Sequence, residues 1–293
     1  MFYKKKTKET SAETGLDDNS NGDDIQNSEL EIQYSTRTDE GRVRKNNEDS
    51  LCFIKPNDAG ELVKKGVLAI VADGMGGHAG GEVASKIAVD TIGDLYYQSD
   101  RNDVVQALSK AVHSANDKIL KTAQKDHLLK GMGTTMTSLV IKGKNAYFAH
   151  IGDSRLYHYR NGLLNRVSND HTLVQQMVDQ GEITLFEAEN HSQKNVLLQA
   201  LGTKQNIELQ TGHYSSDLKP GDRFLLCSDG LTDLVKDIEI QQVMEMSSIY
   251  MIAICLTALA KERGGHDNIS MVIIQVVAPT PKNDQKITRD IVI

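Results

Sequence analysis

The sequence predicts an α/β protein of the α+β type, with antiparallel β-sheets covered by helices. Three observations carry this. Several short runs are rich in β-branched and aromatic residues, with Val67 to Ala72, Met136 to Ile141, Ala146 to Ile151, Arg155 to Tyr159 and Phe224 to Cys227 the clearest. Two pairs of these runs are joined or followed by the short turns KGKN and RNGL, and such connections favour hairpins over parallel crossovers, which need a dozen or more residues. Helical periodicity then appears in segments that do not alternate strictly with the strands.

Taken in order, residues 1–30 are rich in Ser, Asn, Asp, Glu, Lys and Thr with almost nothing apolar. Such a segment cannot offset the entropy of ordering and is expected to be a disordered tail. The folded domain is expected over 31–278. Glu82 to Tyr97 reads as a helix, and Val104 to Leu120 as a second, with Val104, Leu108, Ala111, Val112, Ala115 and Ile119 on one apolar stripe. A third helix, Ile249 to Lys261, is apolar around most of its circumference and stops at Arg263-Gly264-Gly265. The apolar run Ile269 to Val277 reads as a last strand, and 279–293 as a second polar tail.

Composition narrows the function. With 39% hydrophobic and 25% charged residues the 293-residue chain is too polar for an integral membrane protein. A net charge of -7 opposes binding to a phosphate backbone, so nucleic acid is not expected as a partner. Cys52, Cys227 and Cys255 form neither CxxC pairs nor an even disulfide set, which fits a reducing compartment. The N-terminus shows no apolar segment of the kind a signal peptide or anchor needs, and a cytoplasmic, monomeric protein is expected.

The chemistry lies in acidic residues beside glycines or at strand ends: Glu48-Asp49, Asp73-Gly74, Asp153, Asp229-Gly230 and Asp267-Asn268. Singly, each has an ordinary explanation, since Asp-Gly is a common turn and Asp a common helix cap. Asp73, however, directly follows VLAIVA and Asp229 directly follows FLLCS, so both emerge from apolar strands. Carboxylates without clustered His or Cys suit hard cations such as Mg²⁺ or Mn²⁺. Two such ions can activate a bridging hydroxide and neutralise charge on a phosphoryl group. The glycines after Asp73 match neither GxGxxG nor GxxxxGK[ST], which disfavours nucleotide binding.

RVRKNNED, VADGMGG, GMGTT, HIGDSR, CSDG and HDN follow one another from Arg42 to Asn268. In that order they resemble the metal-dependent protein phosphatases, the type 2C Ser/Thr family, and its bacterial branch in particular. The resemblance implies a sandwich of two antiparallel β-sheets flanked on both sides by α-helices, with two or three Mn²⁺ or Mg²⁺ ions at one edge. It implies that Asp73 and the Gly74 carbonyl hold metal together with Asp229 and Asp267, that Asp153 holds a third ion, and that Glu48 and Asp49 act on or through metal-bound water. Arg44 would orient the substrate phosphate, which a planar guanidinium does better than Lys. Residues 168–201 resemble the flap of the bacterial enzymes, although HSQKN departs from the family's Pro and Arg, and Met75 stands where many relatives have a His.

The implied activity is hydrolysis of phosphoserine and phosphothreonine in protein substrates by a metal-bridging hydroxide, opposing a Ser/Thr protein kinase. Two alternatives stay open on the sequence. One is an inactive phosphoprotein-binding module on the same fold. The other is a phosphatase of a small molecule or of an anti-anti-sigma-type regulator.

Overall fold

The computed structural model describes residues 30–76, 79–215 and 217–279. Of the expected tails, 1–30 and 279–293, all but Leu30 and Pro279 lie outside the described residues.

Ten strands make two five-stranded antiparallel sheets. The first runs β1 (Glu31–Asp39), β12 (Ile269–Val277), β11 (Arg223–Cys227), β8 (Arg155–Arg160), β9 (Leu163–Arg166). The second runs β10 (Gln210–Ser215), β7 (Asn145–Ile151), β6 (Met136–Lys142), β3 (Val67–Ala72), β2 (Ser50–Ile54). A two-strand ladder joins β4 (Gly74–Met75) to β5 (Gly133–Thr134). The expected hairpins are present: β6 pairs with β7, and β8 with β9. In the second of these, Asn161 and Gly162 both take positive φ, which matches the right-handed twist of the flanking strands.

The sheets pack face to face and helices cover both outer faces. Val67, Ala69 and Val71 of β3 meet Phe224 and Leu226 of β11 and Val272, Ile274 and Val276 of β12 between the sheets. The alternate residues Leu68, Ile70 and Ala72 point the other way, onto α2 (Ala79–Gln98) and α3 (Val104–Lys125). Leu225, Cys227, Met271 and Ile273 likewise pack against α7 (Asp237–Met244) and α8 (Ile249–Glu262). Central strands covered on both faces bury every side chain, so VLAIVA is apolar without alternation even though its neighbours are antiparallel.

Local chemistry sets the helix ends. The Asp103 side chain accepts the Gln106 backbone N–H and starts α3, whose stripe from Val104 to Ile119 is buried as its periodicity predicts. Ser248 caps α8 in the same way through Met251 N. That helix is less enclosed than its composition predicts: Ile252, Ala253, Leu256 and Ala260 are buried, but Tyr250 is 63% exposed. Two edge strands, β1 and β2, carry no strong sequence signal because exposed and half-buried residues dominate them. Between β9 and β10 lie α4 (Leu173–Asp179) and α5 (Leu185–Glu189), within the expected flap, while α1 (Ala59–Lys65) and α6 (Asp229–Thr232) are short connectors. Among the described residues no helix is long and apolar enough to cross a membrane.

Phe224 is fully buried between the sheets, and its replacement leaves a cavity that neighbours fixed by two ladders cannot fill. Phe224→Ala is expected to cost about 3–5 kcal/mol. Urea unfolding checks this, with a lowered midpoint and an unchanged slope.

Candidate metal centre

The strands place their chemistry at one end of the sandwich. Asp73 ends β3, Asp153 lies in the turn between β7 and β8, and Asp229 follows β11 as the first residue of α6. Glu48 and Asp49 precede β2, and Asp267 precedes β12. A cavity of about 280 Å³ is lined by Arg44, Glu48, Asp73, Gly74, Asp153, Asp229 and Asp267, together with Met75, Gly76, Thr135, Asn195, Leu197 and Asn268. Seven of the eight residues singled out by the sequence therefore share one cavity. The eighth, Asp49, is half-buried outside that lining, where its Oδ2 accepts the Ser228 hydroxyl at 2.9 Å.

Burial and mutual repulsion dominate the electrostatics. Asp49 is pushed up to about 7 by burial, with repulsion from Asp229 and Asp267 adding to it against the lowering effect of its serine hydrogen bonds. Asp229 is pushed up to about 6 by burial and by Asp233. Asp73 and Asp153 are raised well above the ordinary carboxylate range, first by burial and then by neighbouring carboxylates. Asp73 and Asp229 are near enough for each to shift the other's affinity for a proton, upward for Asp73 and downward for Asp229. On the rim, Arg44 Nη2 donates to Asp267 Oδ2 at 2.6 Å, and this bond raises the guanidinium's affinity for its proton.

Neutral polar residues brace this arrangement. Asn268 ties together the loops that carry the acids, since its Oδ1 accepts Glu48 N–H at 2.8 Å while its Nδ2 donates to the Glu40 and Asn46 carbonyls. Thr135 is more than a packing residue: its hydroxyl accepts the Asp73 N–H at 3.0 Å and its own N–H donates to Asp73 O at 2.9 Å. A Cβ on Gly74 would strike the backbone oxygens of Glu48 and Gly81, so only glycine lets these strands meet. The polar partners Thr135 and Ser228 gave little signal in sequence because Thr and Ser serve equally well in sheets and caps.

Among the described residues no three His, Cys, Asp or Glu side chains already form a closed coordination group. Asp267 is paired with Arg44. The donor set nonetheless fits hard divalent cations. It is oxygen-rich, no imidazole or thiol lines the cavity among the described residues, and the buried Oδ1 atoms of Asp49 and Asp229 have no hydrogen-bond partner. Such orphaned acceptors are costly unless a cation or water meets them.

The family model for Protein phosphatase 2C matches residues 45–260. The chain belongs to this family. The match stops short of Arg44 and Asp267 at its two ends, and both are joined to the family's segment by the cavity itself. The serine/threonine protein phosphatase PstP of Mycobacterium tuberculosis is 38% identical over 248 residues, which is 85% of this chain and 46% of PstP, so the chain spans about half of that protein. The serine/threonine phosphatase Stp of Listeria monocytogenes is 34% identical over 244 residues, 82% of this chain and 94% of Stp. A crystal structure of the PstP catalytic domain in complex with 2 manganese ions superposes with a TM-score of 0.72 at 36% identity, covering 85% of this chain and 99% of that one. The sandwich of two antiparallel sheets flanked by helices is thus the fold of the family.

Because the Asp229 carboxyl is held near 6, against about 3.9 in an unfolded chain, the folded protein keeps a proton that the unfolded chain releases between those values. Stability is lost as the pH rises through that window, since the unfolded state then binds fewer protons. In EDTA, Asp229→Asn is expected to melt a few degrees above the parent at pH 7.5, at about 2–4 °C per kcal/mol, and level with it near pH 4. Thermal melts of both proteins across pH 4–8 check this.

Proposed function

We propose that this chain is a metal-dependent protein phosphatase that releases phosphate from phosphoserine and phosphothreonine in other proteins. The observation that carries this is the meeting of Asp73, Gly74, Asp153, Asp229, Asp267 and Glu48 with Arg44 around one cavity at the sheet ends. Family membership and a relative solved with 2 manganese ions support it.

On this reading Asp73 and the Gly74 carbonyl hold two divalent cations together with Asp229 and Asp267, while Asp153 holds a third ion beside Asp229. When bound, such ions supply an activated water as nucleophile and neutralise charge developing on the phosphoryl oxygens. The chain's own residues do the rest. Arg44, 52% exposed at the rim, exchanges its hydrogen bond to Asp267 for two phosphate oxygens and fixes the ester in line for attack. Glu48 and Asp49, anchored by Asn268 and Ser228, orient water and accept protons within the site. Met75, in the cavity lining, has no proton to give to the leaving alkoxide. Substrates of this kind are the products of Ser/Thr protein kinases, which makes such a kinase the functional counterpart. The three unpaired cysteines suit the reducing cytoplasm. Residues 31–278 form the catalytic domain, with the flap at 168–201.

Phosphate release from a phosphothreonine peptide is the test. Activity is expected with Mn²⁺ or Mg²⁺ and not in EDTA, and Asp73→Asn is expected to lower kcat by at least about 100-fold, since even outer-sphere partners of a metal cost that much. Release that persists in EDTA, or in Asp73→Asn, would overturn the reading. Arg44→Ala is expected to lower kcat/KM by about 10–100-fold, the value of a charge-assisted hydrogen bond, with Arg44→Lys between it and the parent. Steady-state kinetics on the same peptide checks the order of the three.

A further inference from the structure

The second cavity, about 690 Å³, runs between the flap helices and α6 to α7 and shares Asp153, Asn195 and Asp229 with the acidic one. Asn195 therefore stands where the two spaces join, with Leu197 beside it in the wall of the acidic cavity, and what holds that wall in place bears on substrate entry. The wall is secured by short pairings at the flap's base. Thr172 bridges Leu197, Leu173 N–H donates to Val196 O at 2.9 Å, and Leu198 N–H donates to His171 O at 2.8 Å.

The base is itself fastened to the loop that carries Asp153. His171 N–H donates to Gly152 O at 2.7 Å, and Gly152 N–H donates to His171 Nδ1 at 3.3 Å. Beneath this pair lies His150 on β7, fully buried, its ring 4.9 Å from that of His171. His150 Nε2 is 3.0 Å from the Asn169 carbonyl, and Nδ1 is 2.8 Å from the Thr137 hydroxyl. A carbonyl only accepts, so Nε2 carries the hydrogen. Burial holds the ring neutral, so Nδ1 is an acceptor, and it shares the one hydrogen of the Thr137 hydroxyl with the Ser154 carbonyl, 2.9 Å from the same oxygen. Thr137 lies in the sheet beside Thr135 and Ser154, whose hydroxyls share a hydrogen bond at 2.8 Å, and Thr135 in turn accepts the Asp73 N–H.

We propose that His150 is a positioning residue, which joins the flap base at Asn169 to the sheet at Thr137 and so fixes the 195–197 wall relative to Asp153. The inference rests on the phosphatase reading for its kinetic consequence and on the hydrogen bonds alone for its structural one. A protein substrate extends along this wall beyond its phosphorylated residue, whereas a small aryl ester fills the acidic cavity alone and meets the wall only at Asn195 and Leu197. Loss of the imidazole therefore acts on the KM for a peptide and spares the chemistry.

The experiment compares the full chain, His150→Leu, His150→Gln and His171→Ala on a phosphothreonine peptide and on para-nitrophenyl phosphate with Mn²⁺, alongside amide hydrogen exchange without substrate. His150→Leu is expected to raise the peptide KM about tenfold, the worth of one buried hydrogen bond, with kcat and the aryl phosphate rate changed less than about threefold. His150→Gln, which keeps a donor for Asn169 O, is expected to recover most of the loss. His171→Ala, at a half-buried position, repeats the split without opening the core. Exchange should quicken over 169–173 and 196–198 and stay unchanged in β3 and β11. Equal loss on both substrates, uniform loss of protection, or no change in any variant would overturn the inference. A parent inert on both substrates would overturn the phosphatase reading instead, and the exchange data would then decide the positioning role alone.

Discussion

The structure depends on like charges held together partly out of water. Asp49, Asp73, Asp153 and Asp229 lie half-buried at one end of the sandwich, and each is opposed in its ionised form by partial loss of water and by its neighbours. Left to themselves, carboxylates in such surroundings would move apart or draw in water. They stay because each is mounted on, or braced against, backbone that cannot give way. Asp73 is held at its own N–H and C=O by Thr135, Asp49 by Ser228, and the Glu48 backbone by Asn268. A site made this way binds a cation with affinity drawn from relieved repulsion, and its metal-free form carries the penalty.

The two-sheet core supplies the rigidity. β3, β11 and β12 are buried on both faces, so their ends cannot shift without disturbing two packed layers at once. Neither sheet alone brings the acids together: β3 and β7 belong to one sheet, and β11 and β12 to the other. The cavity exists because both sheets end at the same level, and the contact of glycine backbones at Gly74 and Gly81 closes the remaining gap. The flap, by contrast, is made of short helices and isolated bridges, with Leu185 and Phe186 more than half exposed. The acids thus sit on the packed ends of strands, and the segment beside them is held by a few backbone pairings at its base.

Much of this was legible in the chain. The runs at 67–72 and 269–277 are strands with the bounds read from composition, and the hairpin turns gave the antiparallel pairing. The edge strands β1 and β2 were not legible, since a strand with one covered face and one neighbour needs few apolar residues. Asp73 and Asp229 stood out because an acid at the end of an apolar run has no solvated helix face to explain it, and Asp153 through its place beside Gly152 in HIGDSR. Asn268, Ser228 and Thr135 did not stand out, because a hydrogen bond to a distant backbone leaves no periodic trace.

The sequence by itself determined the residue types and their order: oxygen donors without clustered imidazole or thiol, glycines where backbone must meet backbone, and apolar runs long enough to bury both faces of a sheet. Those are local properties, written in each residue's chemistry and spacing. Only the tertiary structure decided which acids face one another, that Arg44 reaches Asp267 across 223 positions, and that His150 lies between the sheet and the flap. Distances between residues far apart in the chain are set by the packing of the two sheets, and the same pattern of apolar and polar residues is compatible with many such packings.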